Sequence, residues 1–124
     1  MSGRRLPGLR AELVRRAARQ QAVRHGVDLA VPTAEEAELI QTVDEDNVAW
    51  FATVVAAVGW PGRRQVGIDG SFAAFMLARR APVQFRAAWL PIARTAASRR
   101  DASKRAVQIL AEQVEVDRRT TSVR

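Results

Sequence analysis

The chain has 124 residues, with no cysteine, no tyrosine and a single histidine, His25. This composition excludes disulfides, thiol catalysis and metal sites built from cysteines or from several histidines, and the length suits one domain. The 20 lysine and arginine residues outnumber the 13 acidic residues, so the net charge is +7.

Charge is distributed unevenly along the chain. Residues 33–62 contain six acidic side chains and no basic one, whereas residues 63–105 contain ten basic side chains and two acidic ones. Residues 1–32 are also basic, with seven arginines against two acidic residues. We expect the acidic segment to pair with a basic one, either within one chain or across a dimer.

The first predicted elements are helices with recognisable boundaries. Apolar residues at steps of three and four from Leu6 to Ala17 predict an amphipathic helix, which ends near Gly26. Thr33 and Glu36 have the spacing of a capping box and predict the start of the next helix. Asp44 is then expected to cap a further, separate helix.

Proline and capping residues mark the later elements. Either Asp69 or Ser71 is expected to cap one helix, and Pro82 is expected to open the next. Pro91 lies inside that second pattern and is expected to kink or split it. Asp101 is expected to cap the last helix.

No segment shows the alternating pattern of a half-buried strand. The sequence therefore predicts an all-α fold, a compact single-domain bundle of five or six helices over residues 1–124, with flexible tails at 1–7 and 118–124. The longest apolar run, Val48–Val58, is shorter than the roughly 20 residues that span a bilayer. The N-terminus has no apolar stretch typical of a signal peptide. We expect a cytoplasmic protein without membrane contact.

Three short motifs stand in the centre of the chain. They are Val43-Asp44-x-x-Asn47, Gly59-Trp60-Pro61 and Val66-Gly67-x-Asp69-Gly70. As a set they resemble the core of a bacterial family of uncharacterised small helical domains, and the resemblance extends over residues 9–115. It implies the helical scaffold.

The chain departs from that family at several of its polar positions. Arg79-Arg80 stand where the family usually has Gln-His, and Glu112-Gln113-Val114 stand where it has Asp-Arg-Val. The segment Thr120-Thr121-Ser122-Val123-Arg124 replaces the family's Gln-x-Tyr-Gly-Thr-Gln tail. The resemblance therefore does not carry the family's polar site over to this chain.

The chain is also similar, in size, helical content and lack of nucleophiles, to the lysinoalanine-forming proteins of cinnamycin- and duramycin-type lanthipeptide clusters. This similarity implies a homodimer without a cofactor that acts on a modified precursor peptide. Such a protein joins a substrate lysine amine to a dehydroalanine, and the reaction can borrow its base from the substrate. Lysinoalanine formation is our leading hypothesis.

The candidate site follows from that chemistry. An aza-Michael addition forms an enolate, and guanidinium groups stabilise a developing oxyanion. We predict a groove beside the loop from Trp60 to Gly70, with Arg63 and Arg64 at its rim and Arg24 or His25 near it. Histidine is the side-chain type that titrates near neutrality. The predicted catalytic residues are His25, Arg63 and Arg64. The predicted substrate-binding residues are Arg24, Asp44, Asn47, Trp60, Asp69 and Arg80. No metal site is predicted.

Each candidate also has a structural interpretation, which stays open. His25 suits the end of a helix, and Trp60 suits the core. Asp44 and Asn47 suit a helix cap that ties down a loop, and Asp69 either caps a helix or orients an arginine. The arginines suit a solvated helix face.

Two functions of other classes stay open. The basic charge is typical of nucleic-acid-binding proteins, although the acidic segment would repel phosphate and no recognition helix is visible. A basic adaptor that binds a protein without catalysis would have a similar composition. Salt-dependent binding of nucleic acid would distinguish the first from the second.

Overall fold

The computed structural model describes residues 4–122, and this part of the chain forms five helices and no strand. The all-α bundle predicted from the sequence is confirmed. The helices are α1 (Pro7–Ala22), α2 (Ala34–Val58), α3 (Arg63–Ala78), α4 (Val83–Ser98) and α5 (Lys104–Ser122).

Helix α3 lies at the centre of the bundle. It packs chiefly on α1 and also contacts α2 and α5, while α4 packs on α5. Phe51 of α2 is fully buried and meets Trp60 and Trp89 edge to face, with ring centroids 5.7 and 5.2 Å away. Edge-on aromatic packing stabilises a core beyond the burial of apolar area. These three rings join α2, the turn that follows it, and α4.

Helix α2 is longer than the sequence predicts. It starts at the expected capping box, in which Glu36 N–H donates to Thr33 Oγ1 (3.1 Å) and Thr33 N–H donates to Glu36 Oε1 (2.8 Å). The prediction that Asp44 caps a separate helix is wrong, because α2 continues for 25 residues. Asp44 and Asn47, three residues apart, therefore share one helix face.

Asp101 caps a different helix from the one predicted. Its Oδ1 accepts the Arg64 N–H at 2.8 Å, at the start of α3. Gly62 allows this approach, since a Cβ there would lie 1.8 Å from Asp101 Oδ2. Helix α5 is capped instead by Ser103, whose Oγ accepts the N–H of the third helical residue at 3.1 Å. The prediction for Asp101 is wrong because the partner helix is distant in sequence.

A glycine inside α3 and a proline inside α4 have different effects on their helices. Gly67 has a φ of +76° and a non-helical ψ, so it interrupts the regular geometry of α3 in a conformation that favours glycine. Asp69 follows this point, and its Oδ1 accepts the Gly70 N–H at 2.8 Å. Pro91 does not split α4, which continues on both sides of it.

Ion pairs join α1 to α2. They neutralise part of the acidic segment within one chain, which is one of the two predicted arrangements; the other is pairing across a dimer. Arg16 and Arg19 both donate to Asp46 Oδ2, at 3.1 and 3.2 Å. Arg16 also donates to Asn47 Oδ1 at 3.1 Å. Its guanidinium carbon lies 4.5 Å from the ring centroid of Trp50, a cation–π geometry.

The structure describes residues 4–7 and 118–122 of the two predicted tails, and the flexibility of the tails stays a prediction. Leu6 donates its N–H to the Gln65 carbonyl at 2.7 Å, and the chain from residue 118 continues helix α5. The outermost tail residues, 1–3 and 123–124, lie outside the described part. None of the five described helices is long and apolar enough to cross a bilayer.

Candidate functional site

A groove opens between α2, the loop before it, and the turn that joins α3 to α4. Its volume is about 740 Å³, within the range typical of ligand pockets. Its lining is mostly apolar and includes Leu29, Pro32, Ile40, Val48 and Phe85. Its charged lining residues are Arg24, Asp44, Glu45 and Arg80. We call this feature the arginine groove.

One pair of charges in the arginine groove is fully matched. Arg24 donates to both carboxylate oxygens of Asp44, from Nη1 at 3.0 Å and from Nη2 at 2.5 Å. Arg24 Nη1 also donates to the Gln20 carbonyl at 3.1 Å. The two side chains are 9% and 18% exposed. Arg24 comes from the turn after α1, so this pair fixes that turn against the middle of α2.

Arg80 is the unmatched charge. It is half-buried, and its Nε has no hydrogen-bond partner. Across the described residues, no carboxylate lies within 4.0 Å of its guanidinium. Burial lowers the pKa of Arg80, and so do the neighbouring charges of Arg24 and Arg79, while Asp44 opposes them. Arg24 and Asp44 neutralise each other, and Glu45 is exposed, so the unpaired charge of Arg80 is a local positive excess in a partly desolvated place.

Arg79 adds to that excess from the adjacent position. Its Nε is also buried without a partner, and its guanidinium carbon lies 5.8 Å from the Phe75 ring centroid. Arg79 does not line the groove, but its charge and that of Arg24 both act on Arg80, and Arg24 already holds both oxygens of Asp44. An anionic group on a ligand would remove the imbalance.

The structure brings together three of the predicted site residues, Arg24, Asp44 and Arg80. They are 56 positions apart at the extremes of the sequence, and the packing of α1, α2 and α3 makes them neighbours. Their roles as substrate-binding residues stay predictions. The groove they line is not the one expected beside the loop from Trp60 to Gly70.

Two other predicted residues support the fold. Asn47 is 1% exposed, accepts from Arg16 at 3.1 Å and donates to the Arg16 carbonyl at 3.4 Å. Trp60 is 7% exposed and packs against Phe51. The open structural interpretations of these residues match their surroundings, although Asn47 holds α1 to α2 rather than capping a helix.

Asp69 lies in a charge-balanced pair. Arg10 donates to both of its oxygens, at 2.9 and 2.5 Å, and hydrogen bonding by Arg10 lowers the pKa of Asp69. The same bond raises the pKa of Arg10. A depression of about 780 Å³ borders this pair and also Ile68 and Phe72. The charges of Arg10 and Asp69 satisfy each other, and the third charged residue of the depression, Arg5, is exposed, so this depression lacks the half-buried unpaired charge of the arginine groove.

The three predicted catalytic residues do not form one cluster. His25 is exposed in the turn beside Arg24 and does not line the arginine groove. Arg63 lines a small pocket of about 180 Å³ that Trp60 also borders, and Arg64 is exposed. Arg63 and Arg64 lie at the start of α3, whereas Arg80 follows its end, and neither Arg63 nor Arg64 lines the groove.

Sequence analysis did not single out the apolar lining of the groove. Leu29 is 56% exposed in the loop between α1 and α2, and Phe85 is partly exposed at the start of α4. A large apolar residue in a short loop is a signal for a binding surface. The sequence did not indicate that Phe85 is exposed, because its distance from the other apolar residues of α4 is also typical of a buried helix face.

Residues 4–122 contain no cluster of side chains that could bind a metal ion. No three histidine, aspartate or glutamate side chains are grouped there so that they could hold a metal ion. The polar chemistry of the groove rests on guanidinium and carboxylate groups.

Comparison with known proteins gives no relative. No protein-family model, curated protein or solved structure matches this chain. The resemblance drawn from sequence motifs and the similarity drawn from size and helical content therefore stay predictions, and function is argued from the geometry of the arginine groove.

Proposed function

We propose that this protein binds a peptide in the arginine groove and recognises a carboxylate of that peptide through Arg80. The observation that carries the proposal is the half-buried Arg80 guanidinium, which has no carboxylate partner among the described residues and lies on a mostly apolar groove. A guanidinium binds a carboxylate through two parallel hydrogen bonds, and such charge-assisted bonds are the strong ones.

The shape and chemistry of the groove favour a peptide over a smaller anion. A volume of about 740 Å³ holds several side chains, and Ile40, Val48 and Phe85 offer apolar contact area. Ligand sites commonly combine apolar walls with a few polar groups that fix orientation. Here Arg80 fixes one end of the ligand, and the Asp44 oxygens have further acceptor positions for an amine.

The finer form of the proposal is lysinoalanine formation in a lanthipeptide precursor, an antibiotic-type peptide. The lysine amine forms a C–N bond to Cβ of dehydroalanine, the double-bond electron pair moves onto the carbonyl oxygen as an enolate, and the amine proton ends on Cα. Mass is conserved. Arg80 would donate to the enolate oxygen, and Asp44 would accept from the amine. The nearby guanidinium groups favour the neutral amine over the ammonium ion.

Co-expression with a dehydrated, thioether-bridged precursor of the cinnamycin type tests the finer form. Mass spectrometry after a thiol challenge reads the result, because an open dehydroalanine takes up the thiol and a closed lysinoalanine does not. We expect protection with the native chain, loss of protection with Arg80→Gln, and protection with the control Arg118→Gln, an exposed residue of α5.

Binding of a fluorescent form of the same precursor separates the two levels of the proposal. We expect Arg80→Gln to weaken binding at least about tenfold, the worth of one charge-assisted contact. Binding that depends on Arg80 without thiol protection would contradict lysinoalanine formation and keep peptide binding. Full thiol uptake together with no binding would contradict both.

The predicted homodimer is also a proposal. Ile68 and Phe72, one turn apart on α3, are 71% and 53% exposed, and they are the large apolar side chains that we expect at the interface. Light scattering on the native chain should give twice the chain mass, and Phe72→Asp should give one chain mass. A native monomer would contradict this proposal.

A further inference from the structure

A second positively charged surface lies where the start of α3, the end of α4 and the start of α5 meet. Arg63 donates its N–H to the Asp101 carbonyl at 2.8 Å, and Arg64 donates its N–H to Asp101 Oδ1 at 2.8 Å, so α3 begins against the turn between α4 and α5. We call this surface the basic corner. Its six cationic residues are Arg63, Arg64, Arg99, Arg100, Lys104 and Arg105.

The charges of the basic corner are not neutralised by the protein. Over the described part of the chain, none of its six cationic groups has a carboxylate within 4.0 Å. Its one acidic residue, Asp101, accepts a backbone N–H instead. By contrast, Arg15 pairs with Glu12, and Arg19 pairs with Asp46. The net charge of the molecule is therefore concentrated away from α1.

The backbone adds to this potential. Neither α3 nor α5 has an acidic residue in its first turn, and both helices begin at the corner. The N-terminus of a helix carries a partial positive charge, which acidic residues in the first turn would offset. Here arginine and lysine occupy those positions, so helix ends and side chains act in the same direction.

Charge dominates the corner itself, and exposed apolar side chains lie only at its borders. Ile68 and Phe72, which we assign to the dimer interface, share a small pocket with Arg63, and Val58 and Ile92 share a depression with Arg99. Residues 98–105 read Ser-Arg-Arg-Asp-Ala-Ser-Lys-Arg, and their single apolar residue, Ala102, is buried. Stable protein interfaces need buried apolar anchors, and membrane binding needs apolar side chains that insert. The phosphate backbone of a nucleic acid is bound through charge and hydrogen bonds alone.

The same composition favours a duplex over a single strand. Proteins that bind single strands stack the bases on exposed aromatic rings. Trp60 lines the same depression as Arg99 and Asp101, but only 7% of its surface is exposed because the ring packs in the core. Trp60 therefore offers no stacking surface. Phe72 is an exposed ring that lines the same pocket as Arg63, and the preference for a duplex rests on its proposed place in the dimer interface.

We propose that the basic corner binds the phosphate backbone of double-stranded nucleic acid without reading the base sequence. The proposal is independent of the arginine groove, which lies at the other end of α3. It gives the predicted nucleic-acid activity a location outside the acidic segment. Two of the six carboxylates of that segment are paired, Asp44 with Arg24 and Asp46 with Arg16 and Arg19.

Fluorescence anisotropy with labelled duplexes of unrelated sequence, as DNA and as RNA, tests this over a range of salt concentrations. The corner variant is Arg99→Gln/Lys104→Gln/Arg105→Gln. The matched control is Arg15→Gln/Arg19→Gln/Arg119→Gln, which removes the same charge from exposed ion pairs. Thermal unfolding of both triple variants verifies that each is folded.

The native chain should bind both duplexes with an affinity that falls steeply with salt. The corner variant should bind at least about tenfold more weakly at low salt, and its log–log salt slope should be smaller by about 2 to 3, since each phosphate contact contributes about 0.9. The control should keep the native slope. Absence of duplex binding at low salt, equal weakening by both variants, strong dependence on base sequence, or binding of anionic lipid vesicles in place of duplexes would overturn the proposal.

Discussion

The interface between α1 and α2 and the arginine groove use the same side chain in opposite ways. At the interface, Arg16 and Arg19 face carboxylates of α2, and their charges are matched at 3.1 and 3.2 Å. At the groove, Arg80 and the preceding Arg79 have buried Nε groups without partners. The matched arginines hold helices together, whereas under the proposed function the unmatched Arg80 keeps its charge for a ligand. Pairing, rather than residue type, is what distinguishes the two groups in this arginine-rich chain.

The largest expected effect comes from breaking the buried pair between Arg24 and Asp44. Arg24→Met leaves the Asp44 carboxylate partly buried without its bidentate partner, and we expect a loss of about 3 kcal/mol in the free energy of unfolding. Urea denaturation measures this loss. The double variant Arg24→Met/Asp44→Leu should recover most of it, because no isolated charge then remains. A loss below about 1 kcal/mol for the single variant would show that the pair is not structural.

Asp101→Ala should change stability and nucleic-acid binding in opposite directions. Removing the cap of α3 should cost about 1 kcal/mol, and removing the acidic group should strengthen duplex binding at the basic corner. Ser103→Ala, which removes the cap of α5, is the matched control. It should cost about as much stability and leave duplex affinity unchanged. Equal affinities for the two variants would argue against the corner.

Arg80→Gln should leave the free energy of unfolding within about 0.5 kcal/mol of the native value, or raise it slightly. The reason is that Arg80 is partly desolvated and is repelled by the charges of Arg24 and Arg79. Chemical denaturation beside Arg24→Met gives the direct comparison. A destabilisation as large as that of Arg24→Met would mean that Arg80 is a structural residue.

The smallest effect concerns acid stability on α1. The hydrogen bond from Arg15 lowers the pKa of Glu12 from 4.5 to about 2, Arg16 acts in the same direction, and burial opposes them. A carboxyl with a depressed pKa contributes stability that is complete above its unfolded pKa and is lost as the pH falls toward the folded one. The melting temperature should therefore fall between about pH 4.5 and pH 2, and Glu12→Gln should flatten that part of the curve. An unchanged curve would contradict this assignment.

Local signals predicted the helices well, and contacts between distant residues account for the errors. The capping box of Thr33 and Glu36 is local, and its prediction is confirmed. Asp44 and Asp101 are residues of the type that caps a helix, but tertiary contacts assign them elsewhere: Asp44 pairs with Arg24, and Asp101 caps α3. The residue type shows that a side chain can cap a helix, but only the tertiary fold determines which backbone N–H groups it meets.

The candidate site shows the same limit. Arg24, Asp44 and Arg80 were each identified as candidates by residue type, but nothing in their spacing placed them in one groove. Arg63 was predicted as a site residue because its sequence neighbourhood is a glycine-rich loop. In the structure Arg63 is the first residue of α3, and its N–H donates to the Asp101 carbonyl. Helix packing determines which arginines have a carboxylate partner. The sequence alone therefore does not distinguish paired arginines from unpaired ones.

The most direct test of the contrast between paired and unpaired arginines is NMR of the arginine Nε–H groups during titration with a carboxylate-bearing precursor peptide. We predict that the Nε–H signals of Arg79 and Arg80 shift and become protected from exchange, while those of Arg15 and Arg19 stay unchanged. Unchanged signals of Arg80 at saturating peptide, or equal shifts for Arg15 and Arg80, would contradict the claim that the arginine groove keeps its charge for a ligand.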